Sequence, residues 1–194
     1  MLTIGAIIAA FLMAASSPKL EFESELWPGE GTPVLVAGSR QVTPRREPLM
    51  NSAANPPLTV KVGSRIQFDE TRYQTIHSGL FVVESTVTLA GRKLGALTYL
   101  SKQEYYSGKF SARDFSLQTG ATIEFLQYRA EGSCLMRLER EVVEVEQCPD
   151  LNGPGFRSLR KAEVLWWVRV IVAGKPRGWA LVDGRTLRVS RREF

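Results

Sequence analysis

The fold of this chain is constrained most by two strand-like segments near its carboxyl end. Residues 165–170 read LWWVRV and residues 178–182 read GWALV, and the turn-forming sequence GKPR lies between them at 174–177. Two aromatic strands joined by a tight turn predict a β-hairpin. Because alternate side chains on a strand face opposite ways, Trp166 and Trp167 point to different faces. We expect one indole in the core and the other at the surface or under a loop.

The rest of the chain also favours strands. Apolar residues alternate with polar ones through 58–83 and again through 87–89, 94–100 and 123–128, and a further strand is expected at 33–37. Nowhere do apolar residues recur at the helical spacing of three and four over more than about two turns. The sequence therefore predicts a mainly β fold.

The amino terminus indicates export. Residues 2–15 are uncharged and apolar, and this run is too short for a bilayer span, which needs roughly 20 residues. Small residues at 14–17 suit a cleavage site, although no Lys or Arg precedes the apolar run. We expect a signal peptide at 1–17, a periplasmic or secreted protein and no stable membrane span after cleavage. The alternatives are a short uncleaved anchor, or a buried helix in a wrongly started reading frame.

Two cysteines, Cys134 and Cys148, predict a disulfide in an exported chain. The segment between them alternates like a hairpin. Pairing Met136 with Val145 puts Cys134 opposite Gln147, so a bulge is needed to bring Cys148 into register. The alternative is a pair of buried free thiols.

The charge is unevenly distributed. The chain carries 25 Lys and Arg against 20 Asp and Glu, a net charge of +5. Residues 157–194 hold ten basic and three acidic side chains, whereas residues 131–150 hold six acidic and two basic ones. A basic face attracts an anionic partner such as cell-wall polymer, a lipid headgroup or nucleic acid. Export argues against nucleic acid, and the acidic segment is an alternative, internal partner.

No arrangement of catalytic residues stands out. His77 is the only histidine, and the sequence contains no metal-ligand cluster and no glycine loop for phosphate. We therefore expect no enzyme activity, no metal and no cofactor. A pair of carboxylates that meet only in the folded chain stays open as an alternative, because sequence favours no particular pair.

A weak internal repeat relates residues 58–68 to residues 115–125. In both, a glycine, Gly63 or Gly120, precedes a strand that opens with Ile-x-Phe. The alternatives are a true duplication and one larger sandwich.

The spacing of turn glycine, aliphatic strand, tryptophan strand and Gly-Trp resembles the bacterial SH3-like (SH3b) domain. The residues that carry this resemblance are Leu117, Gly120, Ile123, Trp167, Val170, Gly178, Trp179 and Leu187. The first copy lacks the tryptophan strand, and the cysteine hairpin with residues 151–162 is an insertion in the second. Members of this family are commonly non-catalytic modules that bind cell-wall peptides or partner proteins.

The resemblance implies one or two small SH3-like β-barrels after an N-terminal signal helix. The expected order is a signal peptide at 1–17, a lead and loop region at 18–57, a partial first SH3-like unit at 58–95 with a strand from 33–37, and a second unit at 96–194.

The expected ligand-binding face combines Trp167 and Trp179 with Arg177 and Arg185. Indoles supply contact area, and arginines pair with carboxylates or phosphates. Packing in the barrel is the alternative role for the indoles, and the Tyr105-Tyr106 pair is a second candidate patch. The expected partner is a cell-wall peptide or an envelope protein, and the alternative function is a structural or inhibitory partner of an envelope enzyme.

Overall fold

The computed structural model describes residues 19–27, 31–146, 148 and 155–190. The predicted signal peptide at 1–17 lies outside the described residues. Within them the chain is mainly β, as the sequence predicts. The described residues contain no helix with the length and apolar character needed to cross a membrane.

Sixteen strands, a short α-helix and a 3₁₀ turn follow one another along the described chain. They are β1 (Phe22–Ser24), β2 (Leu35–Ala37), β3 (Gln41–Val42), β4 (Leu58–Thr59), β5 (Arg65–His77), β6 (Gly79–Val83), β7 (Val87–Gly95), β8 (Tyr99–Leu100), α1 (Lys102–Ser107), β9 (Ala112–Leu117), β10 (Thr122–Tyr128), the 3₁₀ turn (Ala130–Gly132), β11 (Cys134–Leu138), β12 (Glu141–Val145), β13 (Phe156–Arg160), β14 (Glu163–Val172), β15 (Lys175–Leu181) and β16 (Leu187–Val189).

The strands form two seven-stranded sheets and a two-stranded ribbon. The first sheet has the order β15-β14-β5-β1-β8, with β2 paired to β5 and β16 paired to β2. The second has the order β13-β6-β10-β11-β12-β7-β9, and β3 pairs with β4. Because β5 ends at His77 and β6 begins at Gly79, the chain crosses between the sheets at Ser78.

In sequence, the strands of the second sheet all come after β5 and before β14, which both belong to the first sheet. After β13 the chain returns to the first sheet, where β14 pairs with β5. β5 lies in the predicted unit at 58–95 and β14 in the predicted unit at 96–194, so the first sheet contains strands of both. No closed barrel is found among the described strands, and the order of the second sheet ends at β13 and β9.

The predicted carboxyl-terminal hairpin is confirmed as β14 and β15, but its turn is Ala173-Gly174, and residues 175–177 of the expected turn belong to β15. Both neighbouring indoles are buried, so neither lies at the surface. Trp166 packs against Trp27, with ring centroids 4.5 Å apart, and the segment after β1 covers it. Trp167 is 1% exposed and lies between its cross-strand partners Arg72 and Leu181. Long side chains on both flanking strands explain why the second face of β14 is also closed to solvent.

One apolar cluster joins the two sheets. Phe22 and Leu100 come from the first sheet, and Leu126, Leu135 and Val142 come from the second. All five side chains are fully buried, and each contributes roughly 1.5–3 kcal/mol by leaving water. This cluster packs β1 and β8 of the first sheet against the face of β10, β11 and β12 that carries Leu126, Leu135 and Val142.

The local features of the internal repeat are present. Gly63 and Gly120 have φ of 83° and 85°, a backbone conformation that favours glycine. In each case a strand begins two residues later, and Ile66 and Ile123 are buried. The turn glycines and core isoleucines are confirmed, and the duplication itself stays a prediction.

The cysteine hairpin has a different register from the expected one. Met136 faces Val143, so the predicted pairing of Met136 with Val145 is wrong by two residues. The turn consists of Glu139 and Arg140 alone, and Glu139 adopts a φ of 58°. A two-residue turn of this kind closes a hairpin with the correct twist, whereas sequence alone suggested a longer one.

The Cys134–Cys148 disulfide is present, with Cα atoms 5.1 Å apart. Cys134 faces Val145 rather than Gln147, which lies outside the described residues. Cys148 lies beyond the end of β12, and its N–H donates to the carbonyl of Gly132 over 2.6 Å. The disulfide therefore closes the open end of the hairpin without a bulge in the β11–β12 pairing.

A carboxylate after β1 ties three elements together. Glu25 accepts hydrogen bonds from the Arg72 guanidinium on β5, from the Tyr99 hydroxyl on β8 and from the backbone N–H of Lys102 at the start of α1. Burial alone would raise the pKa of Glu25, but the hydrogen bonds from Tyr99, Arg72 and Lys102 outweigh it and lower the pKa to about 2.

We expect acid to weaken the fold through Glu25. The folded pKa lies below the ordinary value of 4.5, so its contribution is present above pH 4.5 and is lost as the pH falls towards 2. With a side chain 26% exposed, the contribution is on the order of 2 kcal/mol after solvent screening. Urea unfolding of Glu25→Gln should show this loss at pH 7 and only a small remaining difference from the wild type at pH 2, where the folded carboxyl is half protonated.

The control for this prediction is Glu84→Gln, which removes an exposed pair with Arg157. Such a pair contributes little to stability, so the pH profile of this variant should follow the wild type. Equal profiles for Glu25→Gln and the wild type would contradict the assignment.

Candidate functional site

The four residues predicted to bind a ligand lie outside the three cavities described below. Arg177 and Arg185 are exposed, whereas Trp167 and Trp179 are buried. The backbone of Trp179 exchanges two hydrogen bonds with Arg45, of 2.7 and 2.8 Å, so the loop after β3 covers this edge of β15. None of the four lines the cavities described below.

A cavity of about 550 Å³ opens beside α1 instead. We call it the Tyr105 cleft. Its polar and aromatic lining includes Arg92, Tyr105, Tyr106, Arg129, Ser133 and Glu144. Tyr105 and Tyr106, the second candidate patch predicted from the sequence, therefore lie at a cavity. The first candidate face, built on Trp167 and Trp179, lies at none of the described cavities.

Tyr105 is held by a helix with a well-formed start. The Glu104 N–H donates to Ser101 Oγ over 3.1 Å, and the Ser101 N–H donates back to Glu104 Oε2 over 3.1 Å. This capping box satisfies N–H groups that a helix start otherwise leaves unpaired. Together with the bond from Lys102 to Glu25, it fixes α1 against the first sheet.

The charged centre of the cleft is a cross-strand pair. Arg92 on β7 lies directly opposite Glu144 on β12. Its Nη2 and Nε lie 2.6 and 2.7 Å from Glu144 Oε2. The Glu144 residue is only 6% exposed, so the guanidinium neutralises a carboxylate that has lost most of its water. Burial alone would lower the pKa of Arg92, but the hydrogen bond to Glu144 outweighs it and raises that pKa.

Tyr105 links this pair to a second arginine. Its ring centroid lies 4.5 Å from the Cζ of Arg92 and 4.8 Å from the Cζ of Arg129, distances typical of cation–π contacts. Its hydroxyl donates to Glu144 Oε1 over 2.8 Å. Burial raises the pKa of Tyr105, the Arg129 hydrogen bond lowers it and Glu144 raises it, so the hydroxyl stays protonated.

Arg129 is a second buried charge at the cleft. Its side chain is 6% exposed, and its Nη1 donates to the carbonyl of Trp27 over 2.7 Å. Its Nε is buried and has no hydrogen-bond partner; the nearest carboxylate oxygen, Glu144 Oε1, is 3.9 Å away. Arg129 also lines a neighbouring cavity of about 610 Å³ beside Trp27 and Phe68.

The groups that meet in the Tyr105 cleft are hydrogen-bond donors, acceptors and aromatic rings. His77 lies elsewhere, at a cavity of about 510 Å³, with its Nδ1 3.7 Å from Glu21 Oε1. The sulfur of Cys134 is held in the disulfide. Across the ranges that the structure describes, no three His, Cys, Asp or Glu side chains cluster in a way that would hold a metal ion. The arrangement in the cleft can donate and accept hydrogen bonds and can pack against a ring.

Sequence reasoning missed Arg92, Arg129 and Glu144. Arg92 and Glu144 are 52 positions apart, and only the pairing of β7 with β12 brings them together. Alternation predicts strands but not which strands are neighbours. The Ser101-x-x-Glu104 spacing was the one visible sign of the helix that carries Tyr105.

No protein-family model, curated protein or solved structure matches this chain.

Gly91 lets β7 and β12 approach closely beneath the cleft. A Cβ at this position would lie 2.2 Å from the carbonyl oxygen of Glu144 and 3.0 Å from the Cα of Val145. We expect Gly91→Ala to push β12 away and to lower the free energy of unfolding by about 2 kcal/mol, as overpacking does. Urea unfolding measures this, with Ala90→Ser, at an exposed neighbour on β7, as the control. A Gly91→Ala midpoint equal to that of the control would contradict the close approach.

Proposed function

We propose that this protein is an exported, non-catalytic binding module, related to SH3-like domains, that recognises a cell-envelope component through the Tyr105 cleft. The observation that carries the proposal is an aromatic and arginine surface at a cavity. Tyr106 is 76% exposed at this cavity and packs edge-on against Tyr105, with ring centroids 5.1 Å apart.

The composition of the cleft supports recognition. Tyrosine and arginine dominate the residues that contribute most to binding energy, because each combines a large contact area with a polar end. Here Tyr105 is already fixed by Arg92, Arg129 and Glu144. A ligand that packs on Tyr106 also contacts the Tyr105 ring, whose conformational entropy is already lost on folding, so that fixing this ring costs little on binding.

The disulfide supports export. Cys134 and Cys148 are bonded, and disulfides persist mainly in oxidising compartments such as the periplasm and the cell exterior. This agrees with the signal peptide expected at 1–17 from the sequence. The β14–β15 hairpin carries the tryptophan and Gly-Trp strands on which the SH3-like resemblance rests.

Retention on purified peptidoglycan sacculi tests the proposal. Tyr106→Ala should reduce retention about tenfold, because it removes the exposed ring and leaves the buried groups in place. Tyr128→Ala is the matched control, since this tyrosine is 58% exposed and lies outside the cleft.

A double variant, Arg177→Ala with Arg185→Ala, tests the face that the sequence favoured. Both side chains are exposed, so the variant should fold and should keep the retention of the wild type. Retention that is lost in this variant and kept in Tyr106→Ala would place the binding face on β15 and its following loop. Absence of wild-type retention would refute the cell-wall partner.

A further inference from the structure

We propose that the Tyr105 cleft binds its ligand through a carboxylate group, which pairs with Arg129. This inference rests on the proposed binding function and names the chemistry that the cleft selects.

The first observation is that Arg129 lacks a full set of partners. A buried N–H without an acceptor costs roughly 1–3 kcal/mol, and buried polar groups in proteins are rarely left in this state. Arg129 Nε is a buried N–H without an acceptor. The Arg129 side chain also lines the Tyr105 cleft, which is large enough for several ligand atoms. A ligand oxygen would supply the acceptor that the described residues do not.

The second observation is that Glu144 is already committed. It accepts from Arg92 and from Tyr105 at 2.6–2.8 Å, whereas its distance to Arg129 Nε is 3.9 Å. The charges of Arg92 and Glu144 cancel each other, and Arg129 is left as the charge with the weakest pairing. A ligand oxygen at the Nε edge of Arg129 would replace this loose contact with Glu144. Because the guanidinium is planar and rigid, turning that edge towards the cavity also moves Nη1, which donates to the Trp27 carbonyl.

The third observation concerns the shape and charge of the missing group. Arg169 shows how a guanidinium in this protein takes a carboxylate, because its Nε and Nη2 bind the two oxygens of Asp69 at 2.9 and 2.8 Å. A planar monoanion fits the same fork on Arg129. A dianionic phosphate fits less well, since the carboxylate of Glu146 also lines the cleft and repels the second charge.

The lining leaves room beside Arg129. Gly91, Ala112 and Ala130 contribute little side-chain volume, and Tyr106 offers a ring for the apolar part of the ligand. A free carboxyl terminus of a short peptide meets these requirements, with its carboxylate at Arg129 and its last side chain against Tyr106.

Calorimetric titration of the full chain tests the inference with two matched peptides. N-acetyl-Ala-Ala carries a free carboxylate, and its carboxamide differs only in that group. We expect the carboxylate form to bind at least tenfold more tightly, with inorganic phosphate failing to compete at equal concentration. This comparison needs no variant, so a folding defect does not affect it.

A second arm uses Arg129→Lys, which keeps the charge and removes the fork, with Arg137→Lys as the control at a guanidinium outside the cleft. The preference for the carboxylate should fall about tenfold in the first variant and persist in the second. Equal binding of the two peptides by the wild type would overturn the carboxylate assignment. If the wild type is retained on sacculi but shows no preference for the carboxylate peptide, this inference is overturned and the proposed function stands. If the wild type shows neither retention nor the preference, the proposed function is overturned as well.

Discussion

Replacement of Glu144 by glutamine is expected to lower the free energy of unfolding by about 3 kcal/mol. The carboxylate is buried against Arg92, and Arg129 lies close by. Removal of one member of a buried pair leaves the other charge without compensation, and this costs roughly 3–5 kcal/mol. Arg92 keeps part of its exposure to water, which places the expected loss at the lower end of that range.

Urea unfolding at pH 7 measures this loss, and Glu141→Gln is the matched control. Glu141 lies on the same strand and pairs with Lys93 at 2.6 Å, but both side chains are exposed. An exposed pair contributes about 0–1 kcal/mol, so the control should lose far less. Similar losses in the two variants would show that Glu144 is not a buried charge, and the geometry of the Tyr105 cleft would then be wrong.

Removal of the disulfide is expected to have an effect of similar size. The bond joins residues separated by 14 positions and closes a loop of about 15 residues, for which chain entropy predicts about 3 kcal/mol. Cys134→Ala with Cys148→Ala should therefore lower the melting temperature by roughly 6–12 °C in a chain of this length.

The same change should loosen the cleft. The disulfide brings Cys148 N–H to the Gly132 carbonyl, and the 3₁₀ turn that ends at Gly132 lies between Arg129 and Ser133. Peptide affinity should fall together with stability. The wild type under a thiol reductant should approach the double variant, and the double variant should not respond to reductant. If the wild type and the double variant have the same melting temperature without reductant, the disulfide does not stabilise the fold and this prediction is wrong.

Much of the fold could be predicted from local pattern. The β14–β15 hairpin, the turn glycines Gly63 and Gly120 and the disulfide all depend on residues that are close in sequence. The pairing of β5 with β14 could not be predicted, because alternation in two segments predicts two strands but not that these strands are neighbours in a sheet. The hairpin register was missed since it depends on the length of one turn at Glu139.

The site was harder to predict than the fold. Trp167 and Trp179 were predicted as binding groups from the sequence, but both indoles are buried. Tyr106 was visible as a candidate because it lies beside Tyr105 in the sequence. The arginines that give the cleft its charge come from β7 and from the turn after β10, and only the folded sheet brings them to α1.

The most direct test of the Tyr105 cleft as the binding site is an NMR titration of the isotope-labelled chain with soluble peptidoglycan fragments. We predict that the amide shifts change first around α1, at Arg92 on β7 and across the turn from Arg129 to Ser133. Shifts confined to Trp179, Arg177 and Arg185, or no shifts at all at saturating fragment, would contradict this assignment.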